Sequence, residues 1–341
     1  MKKFILKTLP FILPFFILYL ISFLFYSDKE NPDLLRLGYI PNMDKGYMGI
    51  LDSNKKVKLE SLSKTKSKEF KILTIGDSFS NRDSIGYNDI LAENFSVLNA
   101  DNFKAENQIQ AIFKLINGDF FSTYKIDYVI LQNIERNIIY NAESADLNRK
   151  MAISEIYALN KDNHLRHQNH DYELFSKTTL KFPFSLLKFF INKNYLSNNK
   201  VFNLELNDNN LFSNNSNKLL FLNRDLYSLE RNNSLNKVEK LNDRLNFLAK
   251  KLEQKNVKLI VLPAPDKYDM YYSYIADKTN FTKPIFFENL KKLKKDYIYI
   301  DSKELLSKNM ESKKDMYYFA DTHWSPVAAK LIADEIKERI K

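Results

Sequence analysis

The sequence predicts an α/β fold in which a mainly parallel sheet is covered by helices on both faces. The first observation is a series of short apolar segments, at residues 71–75, 97–99, 127–131, 257–262 and 297–300. Strands that are apolar throughout are typical of a sheet that is buried on both faces. The second observation is that helical patterns lie between these segments, and alternating strands and helices favour parallel pairing.

The clearest helical pattern and the clearest helix start lie in the second half of the chain. Apolar residues recur at steps of three and four from Val238 to Leu252, with Lys and Arg on the opposite face. Ser325 and Pro326 form an N-cap followed by a proline at the first helical position. We therefore expect a last helix from Ser325 that buries an apolar face up to Ile336.

Along the chain we expect three parts. Residues 1–27 are predicted to form a signal-anchor helix and residues 28–68 a polar linker, with one hairpin around residues 46–52. The α/β domain is predicted to span residues 69–341, with an insertion at about residues 141–236 that is rich in Asn, Lys and Ser. Within this insertion the apolar stretch 182–191 is either a helix packed on the domain or a cover over the site.

The N-terminus predicts the cellular location. Lys2, Lys3 and Lys7 precede residues 8–26, an uncharged run of 19 residues. As a helix this run would extend ~28 Å, close to the ~30 Å hydrocarbon core of a bilayer. Because lysines flank its start, we expect a single-pass protein of the inner (cytoplasmic) membrane with its C-terminal domain outside the cytoplasm. No small-x-small cleavage site follows, which favours a retained anchor over a removed signal peptide.

Composition excludes several classes of function. Lys and Arg outnumber Asp and Glu by 52 to 42, but the excess is spread through loops and no nucleic-acid motif accompanies it. The chain has no cysteine, so disulfides and thiolate metal sites are impossible. His164, His167 and His170 match no zinc-binding spacing. We expect no metal, no cofactor and no nucleic acid, and a basic surface that favours an anionic envelope or polymer.

Two motifs carry the chemistry. Gly76-Asp77-Ser78-Phe79 directly follows the first buried strand, and Asp321-Thr322-His323 lies near the C-terminus beside the single tryptophan. Ser78 could attack a carbonyl if His323 took its proton, and Asp321 could orient the imidazole. The alternative is structural, because Gly, Asp and Ser are common turn residues and a histidine can simply lie at a helix start.

The order of these motifs resembles the SGNH (GDSL-like) hydrolase superfamily, and more narrowly its membrane-anchored AlgJ/AlgX and DltD-like branch. Two further segments support the narrower resemblance: residues 128–136, which end in Glu135-Arg136, and residues 261–268, which contain Pro263-Ala264-Pro265-Asp266-Lys267. The resemblance covers residues 69–136 and 238–341. It implies the SGNH-like three-layer fold.

The same resemblance implies Ser78 as nucleophile, His323 as base and Asp321 as orienting acid. It also implies an oxyanion hole built from the Ser78 N–H, a glycine N–H and an asparagine side chain. The sequence departs from this pattern, because residues 99–103 contain no glycine where the family has a glycine-rich turn. Asn133 is the best substitute for the asparagine. Together with Asn133, the oxyanion and substrate candidates are Asp77, Arg136 and Lys267.

The resemblance implies an extracytoplasmic O-acyltransferase, with acetyl as the expected group and a cell-envelope or secreted polysaccharide as acceptor. A single anchor cannot move acyl groups across a bilayer, so the family also implies a multi-spanning acyl exporter of the MBOAT type as partner. Two alternatives stay open. One is an esterase that uses water as acceptor, and the other is a catalytically weak scaffold that binds polymer or a partner.

Overall fold

The structure is a computed structural model that describes residues 2–23, 55–80, 86–100, 107–163, 180, 183–184 and 201–340. Its main sheet has six strands, all parallel, in the order β1-β3-β2-β4-β7-β8. These strands are β1 Val57–Lys58, β2 Glu69–Ile75, β3 Val97–Asn99, β4 Lys125–Ile134, β7 Lys258–Ala264 and β8 Ile298–Tyr299. A separate antiparallel pair is formed by β5 Val201–Glu205 and β6 Lys218–Leu222.

Helices connect the strands. They are α1 Lys2–Phe23, α2 Tyr87–Ala92, α3 Gln108–Asn117, α4 Phe120–Thr123, α5 Glu135–Ser144, α6 Ile153–Asn163, α7 Asn223–Tyr227, α8 Leu229–Asn233, α9 Leu235–Glu253, α10 Lys267–Tyr271, α11 Phe286–Lys292, α12 Ser302–Asn309 and α13 Pro326–Arg339. Two 3₁₀ turns occupy Leu59–Lys64 and Tyr272–Tyr274.

The predicted α/β class is confirmed, and each of the five predicted strands is present. Strand β4 is longer than expected because it continues past its apolar run through Gln132 and Asn133, two polar residues that are fully buried. Helix α9 covers the predicted amphipathic pattern. Helix α13 begins at Pro326, with the Ser325 hydroxyl accepting the Val327 N–H at 3.1 Å.

The sheet separates two hydrophobic cores. One core contains the apolar faces of α3, α5, α9 and α11, and the other contains those of α2, α10 and α13. Neighbouring residues of β4 enter opposite cores, as the two-residue period of a strand requires. Because all strands of the main sheet run in one direction, the carboxyl ends of β2, β4 and β7 lie along one edge, where a site is expected in such folds.

The predicted linker at residues 28–68 is wrong in its last part. Strand β1 pairs with β3, and the following 3₁₀ turn buries Leu59 and Leu62 in the core. The sequence did not predict this part of the domain, because two buried leucines in a Lys- and Ser-rich segment do not make a periodic pattern. The predicted hairpin at residues 46–52 lies outside the described residues.

The described part of the predicted insertion packs onto the domain. Leu219 and Phe221 of β6 are fully buried, and the Phe221 ring lies 5.1 Å from that of Tyr268 on α10. The apolar stretch 182–191 lies outside the described residues except for Pro183 and Phe184.

Among the described residues, no helix combines the length and the apolar character needed to cross a bilayer. Helix α1 covers most of the predicted anchor at residues 1–27, of which residues 1 and 24–27 lie outside the described residues.

Leu62 tests the revised start of the domain. Replacing Leu62 by Ala should lower the free energy of unfolding by about 2–5 kcal/mol, because the side chain is 1% exposed and its removal leaves a cavity. Ser61→Ala, at an exposed neighbouring position, should change it by less than about 0.5 kcal/mol. Denaturant unfolding measures both changes in the free energy of unfolding. Equal changes would show that residues 57–64 belong to the linker and not to the domain.

Candidate active site

The turn that carries Ser78 follows β2 and is held by the side chain of Asp77. The Asp77 carboxylate accepts the N–H of Phe79 at 2.9 Å and the N–H of Ile134, the last residue of β4, at 2.6 Å. A Cβ atom on Gly76 would lie 2.7 Å from the Ser80 Cβ and 2.8 Å from the Gln132 Oε1, so only glycine fits. The turn leaves the Ser78 side chain exposed.

The side chain of Gln132, on β4, holds the same turn through hydrogen bonds. Its Oε1 accepts the Asp77 N–H at 3.0 Å and the Ser80 hydroxyl at 3.1 Å, and the Ser80 hydroxyl also lies 2.7 Å from the Tyr87 hydroxyl. Sequence reasoning missed Gln132. The feature that could have identified it is a glutamine within an otherwise apolar buried strand. The resemblance favoured the next residue, Asn133, as the site residue instead.

The loop that carries His323 is a tight reversal before α13. Tyr317 and Trp324 form an isolated antiparallel bridge, and the Tyr318 N–H donates to the His323 carbonyl at 3.2 Å. The Ser325 N–H donates to the Met316 carbonyl at 2.9 Å, which closes the loop onto the start of the helix.

The structure brings Ser78, His323 and Asp321 together. His323 Nε2 lies 2.8 Å from the Ser78 Oγ, and His323 Nδ1 lies 2.5 Å from the Asp321 Oδ1. The same Asp321 oxygen also accepts the His323 backbone N–H at 2.9 Å. This is the geometry that a nucleophile, a base and an orienting carboxylate require.

Aromatic packing holds the two motifs in register, although 245 residues separate Ser78 from His323. The Phe79 ring centroid lies 4.6 Å from that of His323 and 5.2 Å from that of Trp324. The Trp324 indole N–H donates to the Phe79 carbonyl at 3.0 Å. Phe79 and Trp324 are both buried, so the residue after Ser78 and the residue after His323 form one packed unit.

Lys267 lies under the histidine loop and not at a pocket rim, where sequence reasoning placed it as a substrate candidate. Its ammonium group donates to the carbonyls of Tyr318 at 2.6 Å, Phe319 at 2.7 Å and Asp321 at 3.1 Å. The side chain is fully buried. The lysine therefore positions the loop that carries Asp321 and His323.

The side chain of Asn133, the predicted oxyanion donor, forms hydrogen bonds with residues outside the Ser78 turn. Its amide nitrogen donates to the Gln108 side chain at 2.9 Å and to the Gln132 carbonyl at 3.0 Å. Its oxygen accepts from the Asn141 amide at 2.6 Å. Because adjacent residues of a strand face opposite sides of the sheet, Asn133 points away from the face on which Gln132 meets the Ser78 turn.

Arg136 is also a structural residue. Its guanidinium contacts Asp266 at 2.5 Å and Asp225 at 3.2 Å, and all three side chains are largely buried. Burial would lower the pKa of Arg136, but Asp266 and Asp225 outweigh it and hold the pKa above its ordinary value. The arginine thereby joins the ends of β4 and β7 to helix α7.

Asp77 is the remaining oxyanion or substrate candidate, and its carboxylate accepts hydrogen bonds from backbone N–H groups. Loss of hydration raises the pKa of this carboxyl, and the N–H groups of Phe79 and Ile134 and the charge of Arg136 oppose the rise. Of residues 99–103, where the family's glycine-rich turn was expected, residues 101–103 lie outside the described residues, as do His164, His167 and His170.

Comparison with known proteins supports the resemblance. Residues 217–341 match the family model of the SGNH hydrolase-like domain of the acetyltransferase AlgX. This confirms the resemblance to the AlgX branch of the SGNH fold and indicates an acetyltransferase- or esterase-type protein. The match includes Asp321 and His323. It begins at residue 217 and so does not cover Ser78, whose position beside His323 rests on the geometry. Neither the curated proteins nor the solved structures compared with the chain gave a match.

Lys267 provides a test of how the histidine loop is held. Lys267→Met should remove nearly all activity and lower the free energy of unfolding by about 3 kcal/mol or more, because three carbonyls lose a charged donor. Lys237→Met, which removes an exposed ammonium paired with Glu143, should change stability by less than about 1 kcal/mol. Ester turnover and denaturant unfolding measure both effects. A stable and fully active Lys267→Met protein would contradict this role.

Glu135 gives a test of pH dependence at the end of β4. Burial raises the pKa of Glu135 well above its ordinary value, and the nearby Asp269 and Asp266 raise it further. The folded state therefore holds a proton that the unfolded state has lost, and stability falls as the pH rises above the unfolded pKa of ~4.3.

Glu135→Gln should remove that fall. The variant should gain stability over the unaltered chain as the pH rises from about 5 to 8, at up to about 1.4 kcal/mol per pH unit. Thermal unfolding at several pH values measures the difference. A gain that is the same at every pH would show that Glu135 does not titrate in this way.

Proposed function

We propose that the chain is an O-acyltransferase that moves an acyl group, with acetyl expected, to a hydroxyl of a cell-envelope or secreted polysaccharide. The observation that carries the proposal is the contact of His323 with both Ser78 and Asp321. The match of residues 217–341 to an acetyltransferase domain supports the same chemistry. No metal or cofactor enters the proposed reaction.

In the first half of the reaction, the Ser78 Oγ attacks the acyl carbonyl while His323 Nε2 takes its proton. The bond from the carbonyl carbon to the donor breaks, and the donor leaves with that proton. Asp321 holds Nδ1 protonated, so that Nε2 faces Ser78 as the acceptor. In the second half, His323 takes the proton of a sugar hydroxyl, whose oxygen attacks the acyl-serine. Ser78 recovers its proton from His323.

Location and partner also belong to the proposal. Lysines before an apolar N-terminal run support a protein whose domain lies outside the cytoplasm, anchored in the cytoplasmic membrane. An acyl donor made in the cytoplasm would then need a multi-spanning exporter, and the partner in that role is the MBOAT-type protein that the sequence resemblance implies.

Hydrolysis is the second candidate function. The Ser78 side chain is exposed, so water can reach an acyl-serine unless the acceptor or another segment covers it. A transferase must position the sugar hydroxyl well enough to outcompete water, which proximity and water exclusion can achieve.

Partitioning of the acyl group distinguishes the two. The full chain is incubated with a ¹³C-acetyl ester and an oligosaccharide acceptor, and mass spectrometry measures labelled sugar and free acetate. The transferase proposal predicts labelled sugar that rises with acceptor concentration while acetate falls. Acetate as the sole product with every acceptor would establish the esterase, and absence of any acyl-serine would establish a binding scaffold.

Substitution of any one of the three residues Ser78, His323 and Asp321 should remove most of the activity, because they act together. Ser78→Ala and His323→Ala should each lower turnover of an activated acetyl ester by ~10³-fold or more, and the double variant should be little worse than either. Asp321→Asn should lose somewhat less. Thermal unfolding of Ser78→Ala should be unchanged, because the side chain is exposed. If His323→Ala kept more than about a tenth of the activity, a loss of only ~1.4 kcal/mol in transition-state stabilisation, His323 would not be the base.

A further inference from the structure

The connection between β5 and β6 extends to the loop that carries His323. It consists of residues 206–217, which we call the hairpin loop. Loops generally lie on the protein surface, but Leu211 and Phe212 in the middle of this loop are buried. The middle of the hairpin loop is therefore packed into the domain.

Asp315, which precedes the histidine loop, binds the hairpin loop through its backbone and its side chain. Its N–H donates to the Leu211 carbonyl at 2.9 Å. One oxygen of its carboxylate accepts the Ser213 N–H at 2.9 Å, and the other accepts it at 3.1 Å. The second oxygen also accepts the Ser213 hydroxyl. Hydrogen bonds to an ionised carboxylate are stronger than those between neutral groups, and Asp315 is buried, so these contacts hold the two segments together.

The backbone of Asp315 has an unusual conformation. Its φ is 59°, in the left-handed region, which is strained for most residues other than Gly but is more accessible to Asp and Asn. Such a conformation persists where the surrounding structure holds it. The carbonyl of the next residue, Met316, accepts the Ser325 N–H at 2.9 Å, which closes the histidine loop. Asp315 therefore sets the direction in which the chain enters that loop.

Phe212 gives the hairpin loop a second contact with the same region. Its ring centroid lies 5.4 Å from that of Phe319, within the histidine loop. The Lys267 ammonium lies 5.4 Å from the Phe212 centroid, a distance at which cation–π attraction acts. Lys267 is the residue that donates to three carbonyls of the histidine loop. The hairpin loop thus supports the histidine loop both directly and through this lysine.

We propose that Ser213 and Asp315 form a clamp that positions the imidazole of His323 against Ser78. The Ser213 contacts hold the left-handed backbone of Asp315, and this backbone directs the histidine loop so that His323 Nε2 lies 2.8 Å from the Ser78 Oγ. Both are positioning residues, because they act through the histidine loop. The inference rests on the proposed function only in treating His323 as the base. It makes the hairpin loop, which lies in the predicted insertion, part of the framework of the active site.

Trp324 reports the conformation of the histidine loop without any turnover. It is the chain's single tryptophan, lies next to His323 and is 2% exposed. Acrylamide quenching of its fluorescence, with excitation selective for tryptophan, therefore measures local opening of the loop. Turnover of an activated acetyl ester is measured on the same full chain. Absence of turnover in the unaltered chain would contradict the proposed function, whereas the quenching would still decide whether the clamp exists.

Asp315→Gly removes the carboxylate but keeps a residue that adopts the left-handed conformation freely. The quenching constant of Trp324 should rise by about two-fold or more, because the loop opens more often. The kcat should fall by about ten-fold with KM unchanged, because a displaced imidazole impairs the reaction and not substrate binding. A residue that only stabilised the fold would lower the unfolding temperature without this difference between kcat and KM.

Asp315→Asn should restore both values to within about two-fold, because Asn tolerates the left-handed region and its side chain can accept the Ser213 N–H and donate to the Ser213 hydroxyl. Ser213→Ala removes only the hydroxyl, and it should change both values in the same direction as Asp315→Gly by a smaller factor. If Asp315→Gly does not fold, Ser213→Ala decides the proposal by the same two measurements.

Asn256→Gly is the matched control. Asn256 also has a φ of 59° and is exposed, and it precedes β7 at the edge of the sheet opposite to Ser78. Its replacement should leave the quenching constant and kcat unchanged. Unchanged quenching of Trp324 in Asp315→Gly would overturn the proposal. Equal effects of Asp315→Gly and Asn256→Gly, or failure of Asp315→Asn to restore the quenching constant, would also overturn it.

Discussion

The site depends on the packing of Phe79 against His323 and Trp324. This contact joins a turn near the start of the domain to a loop before its last helix, and it places the imidazole over the serine. Each side is also held by contacts of its own. Asp77 and Gln132 lock the serine turn, while Lys267 and the bridge from Tyr317 to Trp324 lock the histidine loop. A buried aromatic contact thus sets the distance between the Ser78 hydroxyl and the His323 imidazole.

The carboxyl end of β4 is the common support of this arrangement. Gln132 and Ile134 hold the Ser78 turn on one face of the sheet, and Asn133 forms a separate amide network on the other. Glu135 and Arg136 then connect the strand to the loop after β7. One short segment therefore holds the Ser78 turn and ties β4 to the loop after β7. Its polar residues are buried and contact both side chains and backbone groups of other segments, so a substitution here changes both stability and geometry.

Much of the fold could be predicted from the sequence because a parallel sheet leaves a strong pattern. Apolar strands separated by amphipathic helices identified the class and the strand positions, and Ser325 with Pro326 gave the start of the last helix. Strand β1 was missed because two residues and a 3₁₀ turn carry no periodicity. The convergence of Ser78, His323 and Asp321 was expected from motifs whose residue types suit the chemistry, although their approach in space is a property of the whole fold.

The other candidate residues were predicted less well, for a physical reason. Asn133, Arg136 and Lys267 are polar residues at strand ends near the site, and sequence alone cannot show which side of a strand they face. Because adjacent side chains of β4 face opposite sides of the sheet, Gln132 faces the Ser78 turn and Asn133 faces away from it. Arg136 and Lys267 became buried because aspartates and loop carbonyls in distant parts of the chain surround them. The partners of a buried cation are a tertiary property, which local spacing does not specify.

Activation of Ser78 by His323 is tested most directly by the rate at which Ser78 is covalently modified. The full chain and its His323→Ala variant are treated with a serine-directed fluorophosphonate, and peptide mass spectrometry follows the labelling of each. We predict a single labelled serine, Ser78, whose labelling rate falls by about 10²-fold or more in His323→Ala. Labelling at another serine, or an unchanged labelling rate in His323→Ala, would contradict this activation.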